Sequence, residues 1–201
     1  MKRDPKTRPK IGRPSSAAAE SHAAIMDAVY ALLQEGSAKD LSMEAIAKKA
    51  KVGKPTLYKW WPSKAALIMA MFHERIVADV KAPPAATTAE AALRTTMRRL
   101  IKGLNGLFGK VLADLITEGQ SDPAVLRDLF DGHIKVRQAA DIAAIERGKE
   151  KGELATETNA DLVINAIFGS LIYRLLLRLP ITEKYGDELI DTVLRGIQPR
   201  N

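Results

Sequence analysis

Residues 41–64, Leu-Ser-Met-Glu-Ala-Ile-Ala-Lys-Lys-Ala-Lys-Val-Gly-Lys-Pro-Thr-Leu-Tyr-Lys-Trp-Trp-Pro-Ser-Lys, admit few folds. Ile46, Ala47 and Ala50 recur at helical spacing, and Ser42 stands where a side-chain oxygen satisfies the free N–H groups of a first turn. Val52 follows as an apolar plug, and Gly53 is able to end one segment and open the next. A second helix opens at Lys54 with Pro55 in its first turn, where a missing N–H costs little because those donors have no intrahelical partner. Its inner face is Leu57 and Trp61; its outer face shows Lys54, Thr56, Tyr58, Lys59 and Trp60. Pro62-Ser63 stops it, and Ser63 caps a further helix from Lys64. Two short helices across a tight turn, the second presenting cations, a hydroxyl and aromatics, read as a helix-turn-helix that meets phosphates and base edges in a DNA major groove. The same face also fits a solvated surface on an ordinary helical hairpin.

Charge separates the chain into two parts. The net charge is +7. Residues 1–64 hold thirteen Lys/Arg and six Asp/Glu, whereas residues 65–201 hold eighteen of each, so the whole excess lies on the part that contains the motif. That is the pattern expected if this part alone meets a polyanion. Residues 1–14 have three prolines, six cations and almost nothing to bury, which predicts a disordered basic arm. Arg13, between Gly12 and Pro14, suits insertion into a narrow minor groove; a tail adding only nonspecific phosphate attraction explains it equally well.

The remaining composition points to an all-α protein with one sizeable core and a small satellite domain: 46% of residues are hydrophobic and only 5% aromatic, with Ala and Leu frequent. The absence of cysteine excludes disulfides, thiolate metal sites and cysteine nucleophiles. His22, His73 and His133 are widely spaced and no phosphate-cradling glycine loop is present, so no catalytic residue, metal site or cofactor is assigned. The basic start runs into Pro, Arg and Ser rather than an apolar stretch, which predicts no secretory leader and a cytoplasmic, nucleoid-associated protein.

Apolar periodicity predicts about nine helices. A first helix over 16–35 carries Ile25, Val29, Leu32 and Leu33, and Leu41, Ile46, Val52, Leu57 and Trp61 close a three-helix core against it. This places a helix-turn-helix domain at 15–64 with its motif at 42–61, and a connecting fourth helix over 63–80. Residues 65–201 then form a helical bundle, with helices over 88–105, 107–118, 122–151, 159–179 and 183–197. In the third of these Leu126, Leu129, Phe130, Ile134, Ala140, Ile142 and Ile145 are expected inward. The stretch 159–179 is apolar nearly all round, so two sides must be covered; Asn165, Arg174 and Arg178 interrupt it and its apolar run is too short for a membrane span. Burial against its own bundle and against a second copy accounts for it. The dimer interface is therefore assigned to Ile164, Phe168, Leu171 and Leu175, with Leu189, Val193 and Leu194 on the last helix.

The stretches Ser42-Met43-Glu44-Ala45-Ile46-Ala47 and Val52 to Leu67 resemble the tetracycline-repressor (TetR) family of bacterial transcription regulators. The family pattern is Thr-x-x-x-Ile-Ala followed by Gly-Val-Ser-x-Gly/Pro-Thr-Leu-Tyr-x-x-Phe-x-Ser-Lys-x-x-Leu, and with helix one the likeness covers about 60 residues. Asp122-Pro123 and Arg147-Gly148-x-x-x-Gly152-Glu153-Leu154 are similar to one type of the family's C-terminal domain. The resemblance implies that Lys54, Pro55, Thr56, Lys59 and Trp60 line the groove, that Tyr58 and Lys64 grip phosphates, and that Ser42 caps helix two and reaches the DNA backbone. It implies a homodimer on a palindromic operator in double-stranded DNA, and a small-molecule effector in the bundle, for which Met97, Phe108, Glu118, Phe130, His133, Arg137, Phe168 and Tyr173 are the candidate lining. Three departures stand out. Lys51 replaces a turn glycine and is expected at positive φ, Gly53 replaces a serine cap, and Trp61 replaces phenylalanine in the small core. The competing function is a nonspecific or architectural DNA binder without an effector.

Overall fold

Twenty residues without glycine or proline, Ser16–Glu35, form α1, which buries Ile25, Met26, Ala28, Val29 and Leu33. Gly36 follows it and donates its N–H to Leu32 O at 2.9 Å. The computed structural model of the chain describes residues 16–38, 40–77 and 87–197. The basic arm with Arg13, and the last three residues of the expected connecting helix, lie outside them. The described residues form nine helices and no strand. Two of the nine contain a π-helical turn.

Helix α2 spans Met43–Ala50 and α3 spans Lys54–Trp60. Helix α4 starts at Lys64, runs to Met71 and continues through a π turn, Phe72–Val77. Ser63 caps it, its oxygen accepting from Ala66 N at 3.1 Å. Ile46, Leu57 and Leu67 are fully buried, and Leu41 and Trp61 nearly so, which closes the small core on α1. Such burial contributes about 1.5–3 kcal/mol for each large apolar side chain.

The bundle comprises α5 (Ala89–Leu104), α6 (Leu107–Gly119), α7 (Pro123–Leu129, a π turn Phe130–Ile134, then Lys135–Glu150), α8 (Ala160–Leu176) and α9 (Glu183–Ile197). Thr88, Asp122 and Asn159 cap α5, α7 and α8 through their side chains, each meeting a donor that the helix leaves unpaired. Between α5 and α6 the chain turns tightly at Gly106. A Cβ on Gly109 would sit 1.9 Å from Leu104 O, so only glycine permits this approach. The Arg147-to-Leu154 stretch also acquires a physical reason. Gly148 leaves room for Ala89, Gly152 ends α7 at φ 71°, and Glu153 accepts the N–H of Ala89 at 2.8 Å.

Two expectations about orientation are corrected. Along α7 the buried positions are 125, 129 and 133, then 138, 141, 144, 145 and 148. The five-residue step from 133 to 138 is the slip introduced by the π turn. Phe130 lies off the 125, 129, 133 face and is 50% exposed rather than inward, and His133 is buried. On α8, Ile164, Phe168 and Leu171 are buried in the chain's own core, as is Leu194 on α9, so they are not free to meet a partner. Leu175, Leu189 and Val193 are half-buried against the same core. The open side of α8 is instead Leu162, Asn165, Ala166, Gly169 and Tyr173, at helical spacing, followed by Leu176 and Leu177.

Candidate nucleic-acid interface

The turn between α2 and α3 is set by backbone geometry. Ser42 accepts from Ala45 N at 3.1 Å and caps α2. Lys51 occupies the left-handed region, φ 55° and ψ 40°, as the missing glycine requires. Its N–H donates to Lys48 O at 3.3 Å and that of Val52 to Ala47 O at 3.0 Å, the paired bonds that close a helix on a left-handed residue. Gly53 opens α3 with no side-chain cap, and Pro55 lies in the first turn. Leu57 points into the core, which turns Lys54, Pro55, Tyr58 and Lys59 to solvent and leaves Thr56 half-buried. Tyr58 is 53% exposed although aromatic.

Not every predicted contact residue is free. Lys54 pairs with Glu44, a hydrogen bond that holds the Glu44 carboxyl below the usual carboxylate range. Trp60, expected on the outer face, is half-buried. Its ring centroid lies 5.2 Å from His22 and 5.5 Å from Trp61, so the bulkier pair of indoles makes it part of the packing between α3 and α1. Lys64 is also half-buried and donates to Ala38 O at 2.9 Å.

The reader is tied to the rest of the chain by groups that periodicity alone does not single out. His22 on α1 meets Glu74 in the π turn of α4 at 2.9 Å, and Arg75 meets Asp27 at 2.8 Å. From α6, Asp114 accepts from Ala38 N at 2.9 Å and Ser37 Oγ at 3.2 Å, while Lys110 donates to Leu33 O at 3.0 Å, taking up a carbonyl at the end of α1. A lysine and an aspartate one turn apart, among the apolar residues of the first two turns of the helix, were the available signal. Lys64, Asp114, Thr117, Glu118 and Ser121 line a cleft of about 370 Å³ at this junction.

The eight candidate effector residues do not form one group. Phe108 and His133 join Phe72 and His73 where the two π turns face each other: Phe72 lies 5.3 Å from Phe108 and 4.8 Å from His133. Burial pushes the His133 imidazole down to about 4, with His73 and Arg137 nearby adding to the effect; burial also lowers His73. Arg137, one turn further along α7, lies over the Phe168 ring at 4.2 Å. Met97 is buried on α5. Glu118 faces the cleft beside Lys64 instead, and Phe130 and Tyr173 are at the surface.

A helix-turn-helix joined to a helical bundle agrees with two family profiles. Residues 25–71 match the one described as bacterial regulatory proteins, tetR family, and residues 83–193 match the tetracyclin repressor-like C-terminal domain, more than half of the chain. The chain belongs to the TetR family. It is 30% identical over 190 residues, 94% of each chain, to the uncharacterized HTH-type transcriptional regulator YdeS of Bacillus subtilis. It is 26% identical over 180 residues, 87% of this chain and 91% of the other, to the DNA-binding transcriptional repressor TetR of Mycobacteroides abscessus. The crystal structure of the TetR family transcription regulator SCO0332 superposes with a TM-score of 0.71 at 27% identity, covering 90% of this chain and all of that one. TetR-family proteins are DNA-binding transcriptional regulators rather than enzymes; they bind operators, dimerise and bind small-molecule effectors. Among its described residues this TetR-family regulator has helices and no strand, and none of those helices is long and apolar enough to cross a membrane.

Proposed function

We propose that this TetR-family protein is an effector-responsive repressor that binds a palindromic operator as a homodimer. The carrying observation is the outer face of α3, where Lys54, Pro55, Tyr58 and Lys59 are exposed on a helix held by Leu57 and a left-handed turn, in the part of the chain that carries the whole net charge. In this reading Thr56 and Lys59 read base edges while Tyr58 and Ser42 contact phosphates. Lys64 reaches a phosphate only by leaving Ala38 O, and Trp60 acts by shaping the helix rather than by touching a base. Arg13 adds a minor-groove contact. The domain division at residue 64 and the connecting role of α4 belong to the same proposal.

The second copy packs on the open side of α8, at Leu162, Ala166, Gly169, Tyr173 and Leu176. Small residues in the middle of that stripe let two helices approach closely, and the exposed apolar ends gain burial. An effector bound among Met97, Phe108, His133, Arg137 and Phe168 then acts on the two readers through α4 and α6, whose polar ties hold the turn after α1. A nonspecific architectural binder would not need this bundle.

The test is footprinting on the intergenic DNA beside its own gene. The expected result is protection of two half-sites about one helical turn apart, retained against excess random duplex at physiological salt. Equal affinity for random duplex would refute the regulator reading. Within a specific complex, Thr56→Ala and Lys59→Ala should change preference among operator variants, whereas Tyr58→Phe should weaken all of them alike.

A further inference from the structure

Arg137, a half-buried residue of the C-terminal bundle, makes no hydrogen bond among the described residues. Arg137 projects from α7 onto Phe168 of α8, and its Nη2 is buried without an acceptor. The nearest carboxylate along the helix, Asp141, is itself buried and accepts instead from Thr96 Oγ1 at 2.8 Å. It acts on Arg137 only through space. Removing a guanidinium from water without returning its hydrogen bonds is costly, and burial depresses Arg137 to about 10. The orientation of the group shows what would relieve that cost. Stacking on Phe168 occupies the face of the guanidinium, whereas its five N–H donors lie in the plane, along the edge.

We propose that Arg137 anchors the carboxylate of an organic monoacid, whose two oxygens take the in-plane donors of a guanidinium that Phe168 holds by its face. A planar carboxylate matches the fork of donors, which a tetrahedral phosphate does not do as well. His133, neutral and one turn before Arg137, leaves no second cation for a dianion at ordinary pH. The inference rests on the effector reading above and gives that effector a chemical class.

The experiment is calorimetry on the full chain with decanoate and benzoate, against decanol and benzamide as uncharged counterparts, for the native protein, Arg137→Gln and Arg137→Lys. The acids are expected to bind the native protein, Arg137→Gln to bind them at least about tenfold more weakly, and Arg137→Lys to fall between because an ammonium offers no fork. Neutral counterparts should bind native protein and Arg137→Gln alike. Arg137→Lys keeps a cation near Asp141 while removing the fork, so weaker acid binding by this variant at an unchanged melting temperature separates anchoring from folding. The inference is overturned if neither acid binds, if the neutral counterparts bind as well as the acids, or if Arg137→Lys binds the acids as tightly as the native protein. Operator binding is measured in parallel. Its absence refutes the regulator reading, while its presence without acid binding refutes this inference alone.

Discussion

Two non-glycine residues, Lys51 and Arg178, hold the left-handed conformation at the same φ of 55°. Both end a helix with the same pair of bonds: Val52 N to Ala47 O at 3.0 Å and Lys51 N to Lys48 O at 3.3 Å, and Leu179 N to Arg174 O at 2.8 Å with Arg178 N to Leu175 O at 3.2 Å. Both side chains are exposed, so substitution removes no core contact. A side chain in this region costs about 1–2 kcal/mol, while glycine's extra freedom in the unfolded chain offsets about 0.5–1 kcal/mol of the relief. Lys51→Gly and Arg178→Gly should therefore each raise stability by ~0.5–1 kcal/mol, a rise in melting temperature of about 2–4 °C per kcal/mol for a chain of this size. The corresponding alanine variants should show no gain, since they keep the Cβ. Urea and thermal unfolding at fixed protein concentration measure both effects, with concentration fixed because a dimer's stability depends on it. DNA binding separates the pair. If Lys51 lies near a phosphate, Lys51→Gly should lower the salt slope of operator affinity by ~0.9, and Arg178→Gly should leave it unchanged. Glycine variants that are less stable than the alanine variants would refute the strain argument.

Other consequences follow from the ties and close approaches. Asp114→Ala removes the carboxylate that accepts from the Ala38 N–H and the Ser37 hydroxyl, and should cost about 1–3 kcal/mol in urea unfolding while altering operator affinity, because it loosens the turn beside the reader. Gly109→Ala should destabilise more severely, as its Cβ meets the Leu104 carbonyl at 1.9 Å; soluble yield and melting temperature report it. Ala166→Glu, on the open side of α8, should give a folded monomer in sedimentation with weakened operator binding, and a stable dimer would refute the assignment of that face. Stability should also fall on acidification between about pH 6.5 and 4. His133 is held at about 4 in the fold against an ordinary 6.5, so the unfolded chain takes up its proton first and the stability present above pH 6.5 is lost as pH falls toward 4. Allowing for its partial solvent screening, the effect is about 1–2 kcal/mol, and His133→Gln should flatten the curve in that window.

Helix positions and most caps were legible because they depend on neighbours in the chain. Ser42 and Ser63 cap the helices that their sequence positions indicate, Thr88, Asp122 and Asn159, expected as first helical residues, stand one position earlier as caps, and the runs 16–35 and 183–197 form helices with those bounds. The left-handed Lys51 was legible for the same reason. The outer face of α3 was legible as a set of residue types, but the freedom of its members was not. Whether Lys54 pairs with Glu44, Trp60 packs on His22, or Lys64 reaches Ala38 depends on residues ten or more positions away. The effector residues were harder still, since an aromatic or basic side chain at helical spacing carries no mark of which side it takes, as at Phe130 and His133, and a π turn shifts the phase of the buried face after His133.

By itself, then, the sequence determined an all-helical chain, a helix-turn-helix within residues 41–64 and the confinement of net positive charge to the first 64 residues, since these follow from local spacing and composition. Tertiary structure alone decided which side of α8 remains open, how α6 grips the turn beside the reader, and that Arg137 Nη2 is buried without an acceptor. The reason is physical. Capping and periodic burial are satisfied within a turn or two of the chain, whereas pairing, desolvation and exposure are properties of the space between helices, and that space exists only after they pack.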